Sequence, residues 1–445
     1  MKLASAVLVA VSFGSPALAD DTAPVKQLLT DPGQLATWLR DRDPRIVSSR
    51  AKVDAADAAT EQARVIQNPV LSFTAGGFVI GQTNNGDGSA GTAAPHLGLA
   101  DTTNYQIGLT EMIEIGKRGP RKNAADTRAR EAGETAVASL GGRIGDVTQL
   151  LGKLAYAQAK RDVSAANLAD AQQLRGKEKV RLDNKDLSPL EFGRIDLDTQ
   201  ELALQLARAE SDLATATAAC SAALLAPCAT TGLDTTMLDA AAPLPAQIGD
   251  VDASIEGRPV RQAGKLEAKA LGFDAELASA RKIPDPTVGA AYMIDNLTVA
   301  GNQHQQFIFS ISLPLGLFDT GTHDAAAARA NARAIEADDK AQVLEQHGLV
   351  AALTQQLQTL QGTLKSLETD QVPKSTQIIT QTRKAFDLGE AKLADLIQVE
   401  RAHRDLLLEV LDTRFDLFNV RAQLRQALGI DDAVARSTSG QRSNP

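Results

Sequence analysis

The stretch that decides the fold is Val137–Leu154, with the sequence VASLGGRIGDVTQLLGKL. Its large apolar residues recur at alternating steps of three and four, at Val137, Leu140, Ile144, Val147, Leu151 and Leu154. These steps average 3.5 residues, which is the period of a coiled-coil seam. No proline occurs between Arg121 and Leu182. We therefore predict one continuous helix over about 121–182, roughly 90 Å long at 1.5 Å per residue.

The same layout occurs twice in the chain. Leu109 matches Leu313, 204 positions later, and the segment 182–191 matches 386–395 at the same shift. Two halves of roughly 200 residues are too long for a solenoid repeat and indicate a tandem duplication. The halves are expected at 20–231 and 232–430, followed by a disordered tail at 431–445. Further long helices are expected at about 189–225, 324–388 and 391–428, with a kink or break near Pro373.

Each half also contains two segments in which apolar residues alternate with small or polar ones. They lie at about 70–78, 105–113, 287–294 and 306–313. Alternation with a period of two is typical of β-strands. In the last segment Phe307, Phe309 and Ile311 fall on one face, and Ile308 is the one exception. The predicted fold is therefore mainly α with a small β part, in two tandem halves of two strands and long coiled-coil helices.

The length of these strands suits a tilted bilayer crossing of roughly 9–11 residues. Four strands cannot close a barrel, and open strand edges are not tolerated in lipid. A membrane location would therefore require several copies of the chain. The alternative is a pair of ordinary hairpins that cap a soluble helical bundle.

The N-terminus predicts export from the cytoplasm. Met1-Lys2 are followed by an apolar stretch at 3–13 and then by Ala17-Leu18-Ala19. This order is typical of a secretory signal peptide over 1–19, and the stretch is too short for a membrane anchor. The chain carries 46 basic and 55 acidic residues, a net charge of −9. An acidic balance argues against nucleic acid as a partner.

The chain has two cysteines, Cys220 and Cys228. On one uninterrupted helix they would lie roughly 12 Å apart, which is too far for a disulfide. Pro227 predicts that the helix stops near Ala226, so that a returning chain would bring Cys228 back. In an oxidising compartment the pair then forms a possible disulfide.

Short segments flank the predicted strands and the turns between helices. They are Asn68-Pro69, EMIEIGKR at 111–118, PDPTVG at 284–289, LPLGLFD at 313–319 and the turn at 389–396. Their order and spacing resemble those of the TolC-type outer-membrane efflux proteins, and IEIGKR at 113–118 looks most like the cobalt–zinc–cadmium branch. The resemblance implies a homotrimer with a 12-stranded outer-membrane β-barrel and a periplasmic α-helical barrel.

The resemblance also implies a function without bond chemistry and without a cofactor. Such a trimer is the passive exit duct of a tripartite efflux pump, in the outer membrane of a Gram-negative bacterium and extending into the periplasm. Its partners are a periplasmic adaptor protein, an inner-membrane transporter and outer-membrane lipid. Metal ions are the first expected substrate and small toxic organic compounds the second.

In that family two helix-turn-helix tips dock the adaptor and close the duct. By position, the adaptor-docking residues are Asn184, Lys185, Asp186, Leu187, Ser188, Leu388, Gly389, Glu390, Ala391 and Lys392. Glu191 and Asp395 fall at the periplasmic constriction, and three copies of each would ring the opening. The alternative is that each acid is favoured by a helix dipole alone.

The two tips are not identical in sequence. Gly389 fits a turn that needs a positive φ. Lys185 stands where glycine is usual in the family, so we expect the neighbouring Asn184 to take the left-handed conformation.

Other classes of function have weaker support. None of the five histidines has metal-ligand spacing to another ligand, and no hydrolase or phosphate-binding motif is present. We therefore expect no catalytic, cofactor or metal site. A periplasmic adaptor also has a helical hairpin, but with one hairpin between soluble β domains. A type I secretion duct for polypeptides would share the predicted architecture, and it stays open as an alternative.

Overall fold

The computed structural model describes residues 22–76, 103–245, 249–296 and 304–440, so the predicted signal peptide lies outside it. The helices are α1 (Val25–Thr30), α2 (Pro32–Arg42), α3 (Pro44–Arg64), α4 (Arg118–Asp183), α5 (Pro189–Leu224), α6 (Thr236–Ala240), α7 (Val251–Glu256), α8 (Pro259–Ser279), α9 (Thr322–Ser366), α10 (Val372–Asp387), α11 (Leu393–Ala427) and α12 (Ile430–Ser439). The strands are β1 (Val70–Gly76), β2 (Asn104–Met112), β3 (Thr287–Ile294) and β4 (Gln305–Ser312).

The described chain is mainly helical, and it divides into two compact units. The helical unit comprises the described residues within 1–50, 135–261 and 342–445, and the strand unit comprises those within 51–134 and 262–341. Each half of the sequence contributes two strands, a long helix and a second helix in the same order. Neither unit is made from one half alone.

The strand unit contains one antiparallel sheet with the order β1-β2-β3-β4. Phe73 pairs with Ile107, Ile107 with Tyr292, and Tyr292 with Phe307, so one face is apolar across all four strands. This face is exposed, and Phe309 near the middle of β4 is 82% exposed. β1 and β4 are the two edges of the sheet.

The opposite face of the sheet carries mostly small or polar residues, with Ile308 and Met293 as larger apolar members. Gly289 pairs with Thr110 on one side and with Ser310 on the other. A Cβ atom at Gly289 would lie 2.7 Å from Oγ of Ser310 and 2.9 Å from Cγ2 of Thr110. Only glycine fits here without a shift, because real Cβ atoms do not approach so closely.

The core of the helical unit is built on the predicted seam. All six seam residues of Val137–Leu154 are buried. They pack with apolar residues of α1, α2, α5 and α11, among them the fully buried Phe418. Gly152 lies against this ring, and a Cβ atom there would overlap it. Burying a stripe of this kind is the main source of helix stability in proteins.

The disulfide left open by the sequence is present. α5 ends at Leu224, one turn earlier than Pro227, because Leu225 takes a left-handed conformation with φ 55°. The chain then turns back, and Cys220 and Cys228 are bonded with their Cα atoms 6.1 Å apart. The amide N–H of Ala23 donates to the carbonyl of Pro227 beside this bond.

Two predictions about the second half need correction or refinement. The segment predicted as a disordered tail from 431 forms α12 as far as Ser439, because Ala435 is fully buried and Gly429 supplies the left-handed turn that starts the helix. The break expected near Pro373 is a π-helical turn at Leu367–Gln371, directly before α10. Proline has no amide hydrogen to donate, which favours such a widened turn.

Among the described helices, none combines the length and the apolar character that a membrane crossing needs.

Candidate functional site: the two helix tips

The first tip joins α4 to α5 through a left-handed turn. Lys185, not Asn184 as predicted, has the positive φ, at 66°. The N–H of Asp186 donates to the carbonyl of Arg181 at 2.8 Å, which closes the end of the helix in a Schellman arrangement. The hydrogen bonds of the helix end fix which residue must be left-handed, and this requirement outweighs the preference of asparagine for that conformation.

The second tip joins α10 to α11 with the same backbone. Gly389 has φ 77°, as the sequence predicts, and the N–H of Glu390 donates to the carbonyl of Ala385 at 2.8 Å. Gly389 and Lys185 are 204 positions apart, as are Glu390 and Asp186. The repeat seen in the sequence is therefore also a repeat of backbone conformation.

Both predicted constriction acids lie three residues inside a helix. The carboxylate of Glu191 accepts from the hydroxyl of Ser188 at 2.8 Å and from its N–H at 3.2 Å, in a capping box. The hydrogen bond from the Ser188 side chain lowers the pKa of Glu191. Asp395 accepts from the N–H of Lys392 at 3.4 Å in the same position of α11. Both carboxylates thus stabilise helix ends, as the dipole alternative requires, and both keep exposed surface.

An apolar cluster holds the two tips together. Leu187, Ile195, Phe386, Leu393 and Leu396 are buried in it. Leu187 was expected on the docking surface, but it lies in this cluster. The other tip residues, Asn184, Lys185, Asp186, Ser188, Leu388, Gly389, Glu390 and Lys392, are exposed, and Ala391 is half-buried.

A charged network between α5, α10 and α11 was not anticipated from the sequence. The buried carboxylate of Asp198 accepts from Nε of Arg401 at 2.6 Å and from a terminal nitrogen of Arg404 at 2.9 Å. Buried Glu400 accepts from Nε of Arg383 at 2.9 Å. The one signal in the sequence was a charge at Asp198 between the apolar seam positions Ile195 and Leu202.

Two titratable groups beside this network have shifted pKa values. Burial, together with Arg383 and Arg404, lowers the pKa of His403, whose Nδ1 lies 2.8 Å from the hydroxyl of Ser375. Burial raises the pKa of Glu178 despite an ion pair with Arg181 at 3.0 Å. In the part of the chain that the structure describes, no group of three or more His, Cys, Asp or Glu side chains is arranged to hold a metal ion.

The chain resembles known outer-membrane efflux proteins in part of its sequence and known outer-membrane channels in its fold. Residues 251–430 match the family model described as "Outer membrane efflux protein". No curated protein matches the sequence. Several solved structures share the fold across most of their length.

The outer-membrane channel OprN superposes with a TM-score of 0.73 at 18% identity, over 91% of both chains. CusC, described as forming a transmembrane channel, has a TM-score of 0.74 at 15% identity, over 92% of this chain and 94% of its own. The open state of the MtrE outer-membrane channel of Neisseria gonorrhoeae has a TM-score of 0.69 at 17% identity, over 90% and 89%. This chain therefore has the fold of these channels.

Proposed function

We propose that the chain is the outer-membrane exit duct of a tripartite efflux pump, working as a homotrimer. The observation that carries this proposal is the sheet of the strand unit. Its four strands present one continuous, exposed apolar face, and among the described residues its two outer strands have an unpaired edge each. A soluble monomer rarely exposes such a surface, whereas a lipid-facing sheet requires it.

The two edges argue for several copies of the chain. Unpaired backbone groups in hydrocarbon cost several kcal/mol each, so a sheet in lipid has to close on itself. Three copies supply twelve strands, an even number inside the range of outer-membrane barrels. In this arrangement β4 of one copy pairs with β1 of the next, and the small-residue face around Gly289 lines the inside.

The helical unit is proposed to form the periplasmic part of the duct. The partners are an adaptor protein, which docks on the exposed tip residues around Lys185 and Gly389, and an inner-membrane transporter. Residues 251–430 match the efflux-protein family model, and the fold is that of known outer-membrane channels, which supports this assignment.

Glu191 and Asp395 are proposed to ring the periplasmic constriction. Three copies of each would place six carboxylates around one opening and favour cations there. Single-channel recordings in a potassium chloride gradient test this. Glu191→Gln combined with Asp395→Asn should reduce the preference for cations, and Glu210→Gln, an exposed acid further along α5, should not. An unchanged reversal potential in the double variant would mean that the two acids only cap helices.

Metal ions are proposed as the cargo, with small toxic organic compounds second. This rests on the resemblance of the segment 113–118 to the cobalt–zinc–cadmium branch. A deletion strain tested on cobalt, zinc, cadmium, copper and nickel salts and on hydrophobic drugs decides between them. New sensitivity to drugs with unchanged sensitivity to the metals would contradict the metal proposal. Retained resistance to both, with loss of a secreted polypeptide, would favour the type I secretion alternative.

Electrophoresis of the outer-membrane fraction tests the duct itself. A barrel trimer should migrate as a large, compact species without heating and as a monomer after boiling. A mature chain that stays monomeric in the soluble periplasmic fraction would refute the proposal.

A further inference from the structure

An unusually exposed apolar segment follows β4 in the strand unit. Leu313, Leu315, Leu317 and Phe318 are all exposed to solvent, and Phe318 is 99% exposed. In β4 itself, exposed apolar side chains alternate at Phe307, Phe309 and Ile311. The exposed apolar positions thus continue for several residues beyond the last paired residue of the sheet.

Other apolar side chains are exposed at the matching ends of the neighbouring segments. They are Ile113 and Ile115 after β2, and Ile283 before β3. We call Ile113, Ile115, Ile283, Leu315, Leu317 and Phe318 the junction belt, because all six lie where the strands give way to helices.

The backbone under the junction belt is held by specific hydrogen bonds. The N–H of Ile113 donates to the carbonyl of Pro286 at 2.9 Å, and the N–H of Ile115 donates to Oδ1 of Asp285 at 2.9 Å. Nζ of Lys117 donates to Oδ2 of the same Asp285 at 2.6 Å. These bonds fix the segment after β2 to the segment before β3, so the exposure of its isoleucines is a property of an ordered backbone.

Basic side chains accompany the belt on the helical side. Arg118 and Lys122 are exposed in the first turns of α4, and Arg281 and Lys282 are exposed beside Ile283. The backbone of Arg281 lies near the apolar segment, since its carbonyl oxygen is 3.9 Å from the Cβ position of Gly316. Its guanidinium is paired with Asp324 at 2.6 Å, and that of Arg118 donates to the carbonyl of Arg64 at 2.8 Å. An apolar strip bordered by lysine and arginine is the arrangement found where proteins contact lipid headgroups.

We propose that the junction belt lies in the headgroup layer of a phospholipid bilayer and anchors the strand unit at its helical end. This inference rests on the proposed function, because it takes the exposed face of the sheet as the lipid face. The belt continues that face, and the exposed lysines beside it, Lys122 and Lys282, complement lipid phosphates. Its occupant is the lipid surface; a second copy of the chain over the belt is the competing outcome.

The dimensions of the sheet support the same placement. An eight-residue strand such as β4 rises roughly 26 Å, or about 20 Å along the membrane normal at a tilt of ~40°. The apolar band of outer-membrane barrels is about 25 Å tall. The paired part of the strand is shorter than this band, and the belt adds apolar surface at the helical end of the sheet.

Tryptophan fluorescence in vesicles tests the proposal. The chain has one tryptophan, so a Trp38→Phe background leaves each introduced residue as the sole reporter. Three variants are reconstituted in phosphatidylcholine–phosphatidylglycerol vesicles: Phe318→Trp in the belt, Phe309→Trp in the sheet and Leu388→Trp at the exposed second tip. Nitroxide labels are placed either near the headgroup or deep in the acyl chain of the lipid.

The proposal expects a different pattern for each reporter. Phe318→Trp should lose more fluorescence to the shallow label than to the deep label, Phe309→Trp the reverse, and Leu388→Trp should respond to neither. If Phe309→Trp is quenched while Phe318→Trp behaves like Leu388→Trp, the belt does not contact lipid, but the proposed function as a duct is still supported. If neither Phe309→Trp nor Phe318→Trp is quenched, the sheet is not in lipid, and the proposed function fails with the inference.

Discussion

The strongest test of the helical unit is Asp198→Asn, which removes one charge and keeps the shape of the side chain. The side chain of Asp198 is 9% exposed, and its carboxylate accepts from both Arg401 and Arg404. Breaking a buried ion pair by removing one partner costs roughly 3–5 kcal/mol, because the other charge stays buried. Arg401 is half exposed, and Arg404 keeps Glu400 within 3.9 Å, so we expect about 3 kcal/mol.

This loss converts into a measurable change of melting temperature. At ~2.1 cal/mol/K per residue, a chain of 445 residues has an unfolding entropy of about 0.9 kcal/mol/K, so Tm should fall by about 3 °C. The assay is thermal unfolding of the purified protein in detergent. Loss of helix is followed by circular dichroism, because most of the described chain is helical. Scan rates are kept equal, because large proteins with disulfides often unfold irreversibly.

Glu201→Gln is the matched control. Glu201 lies on the same helix and accepts from the same Arg401 at 3.2 Å, but its side chain is 56% exposed. Exposed ion pairs contribute roughly 0–1 kcal/mol, so its Tm should change by less than about 1 °C. Equal shifts for the two variants would show that burial of Asp198 does not set its contribution, and the reasoning would be refuted.

Three further predictions concern packing, the disulfide and pH. Gly152→Ala should lower the unfolding free energy by about 1–2 kcal/mol, since overpacking against Phe418 outweighs the gain of ~1 kcal/mol in helix propensity. The same change in a Phe418→Leu background should be neutral or stabilising in denaturant titrations. Replacing Cys220 and Cys228 by serine should cost about 2–3 kcal/mol through lost loop closure. Reductant should lower the Tm of the unaltered protein and leave that of the serine variant unchanged. The pKa of Glu178 is raised in the folded state, so the folded state binds the proton more readily than the unfolded state. Acidification from neutral pH towards the ordinary pKa of glutamate therefore stabilises the folded state. The Tm of the unaltered protein relative to Glu178→Gln should therefore rise from pH 7 to pH 5, and a relative fall would contradict the raised pKa.

The features that follow from local periodicity were predictable from the sequence. The spacing of Val137–Leu154 identifies a seam that is buried throughout, and the alternation around Phe307 identifies the exposed face of the sheet. Gly389 was predictable because a left-handed position at a helix end favours glycine. In these cases the type and the spacing of the residues alone determine which conformation or which face they take.

The features that depend on distant partners were not predictable. Lys185 is left-handed although lysine has no preference for it, because the hydrogen bonds that end α4 require it there. Asp198 and Arg404 are brought together only by the packing of α5 on α11. The segment from 431 looks polar, but its helix is fixed by Ala435 in the core and by the ion pair of Asp431 with Arg425 at 2.7 Å.

The two unpaired edges of the sheet have a consequence for genetics. If β4 of each copy must pair with β1 of another, a copy whose edge strand cannot pair prevents closure of every trimer that it enters. In a cell that makes equal amounts of intact and edge-damaged chains, only about one ring in eight would contain three intact copies. Defects in β1 or β4 should therefore be dominant, whereas a chain that fails to fold at all should be recessive.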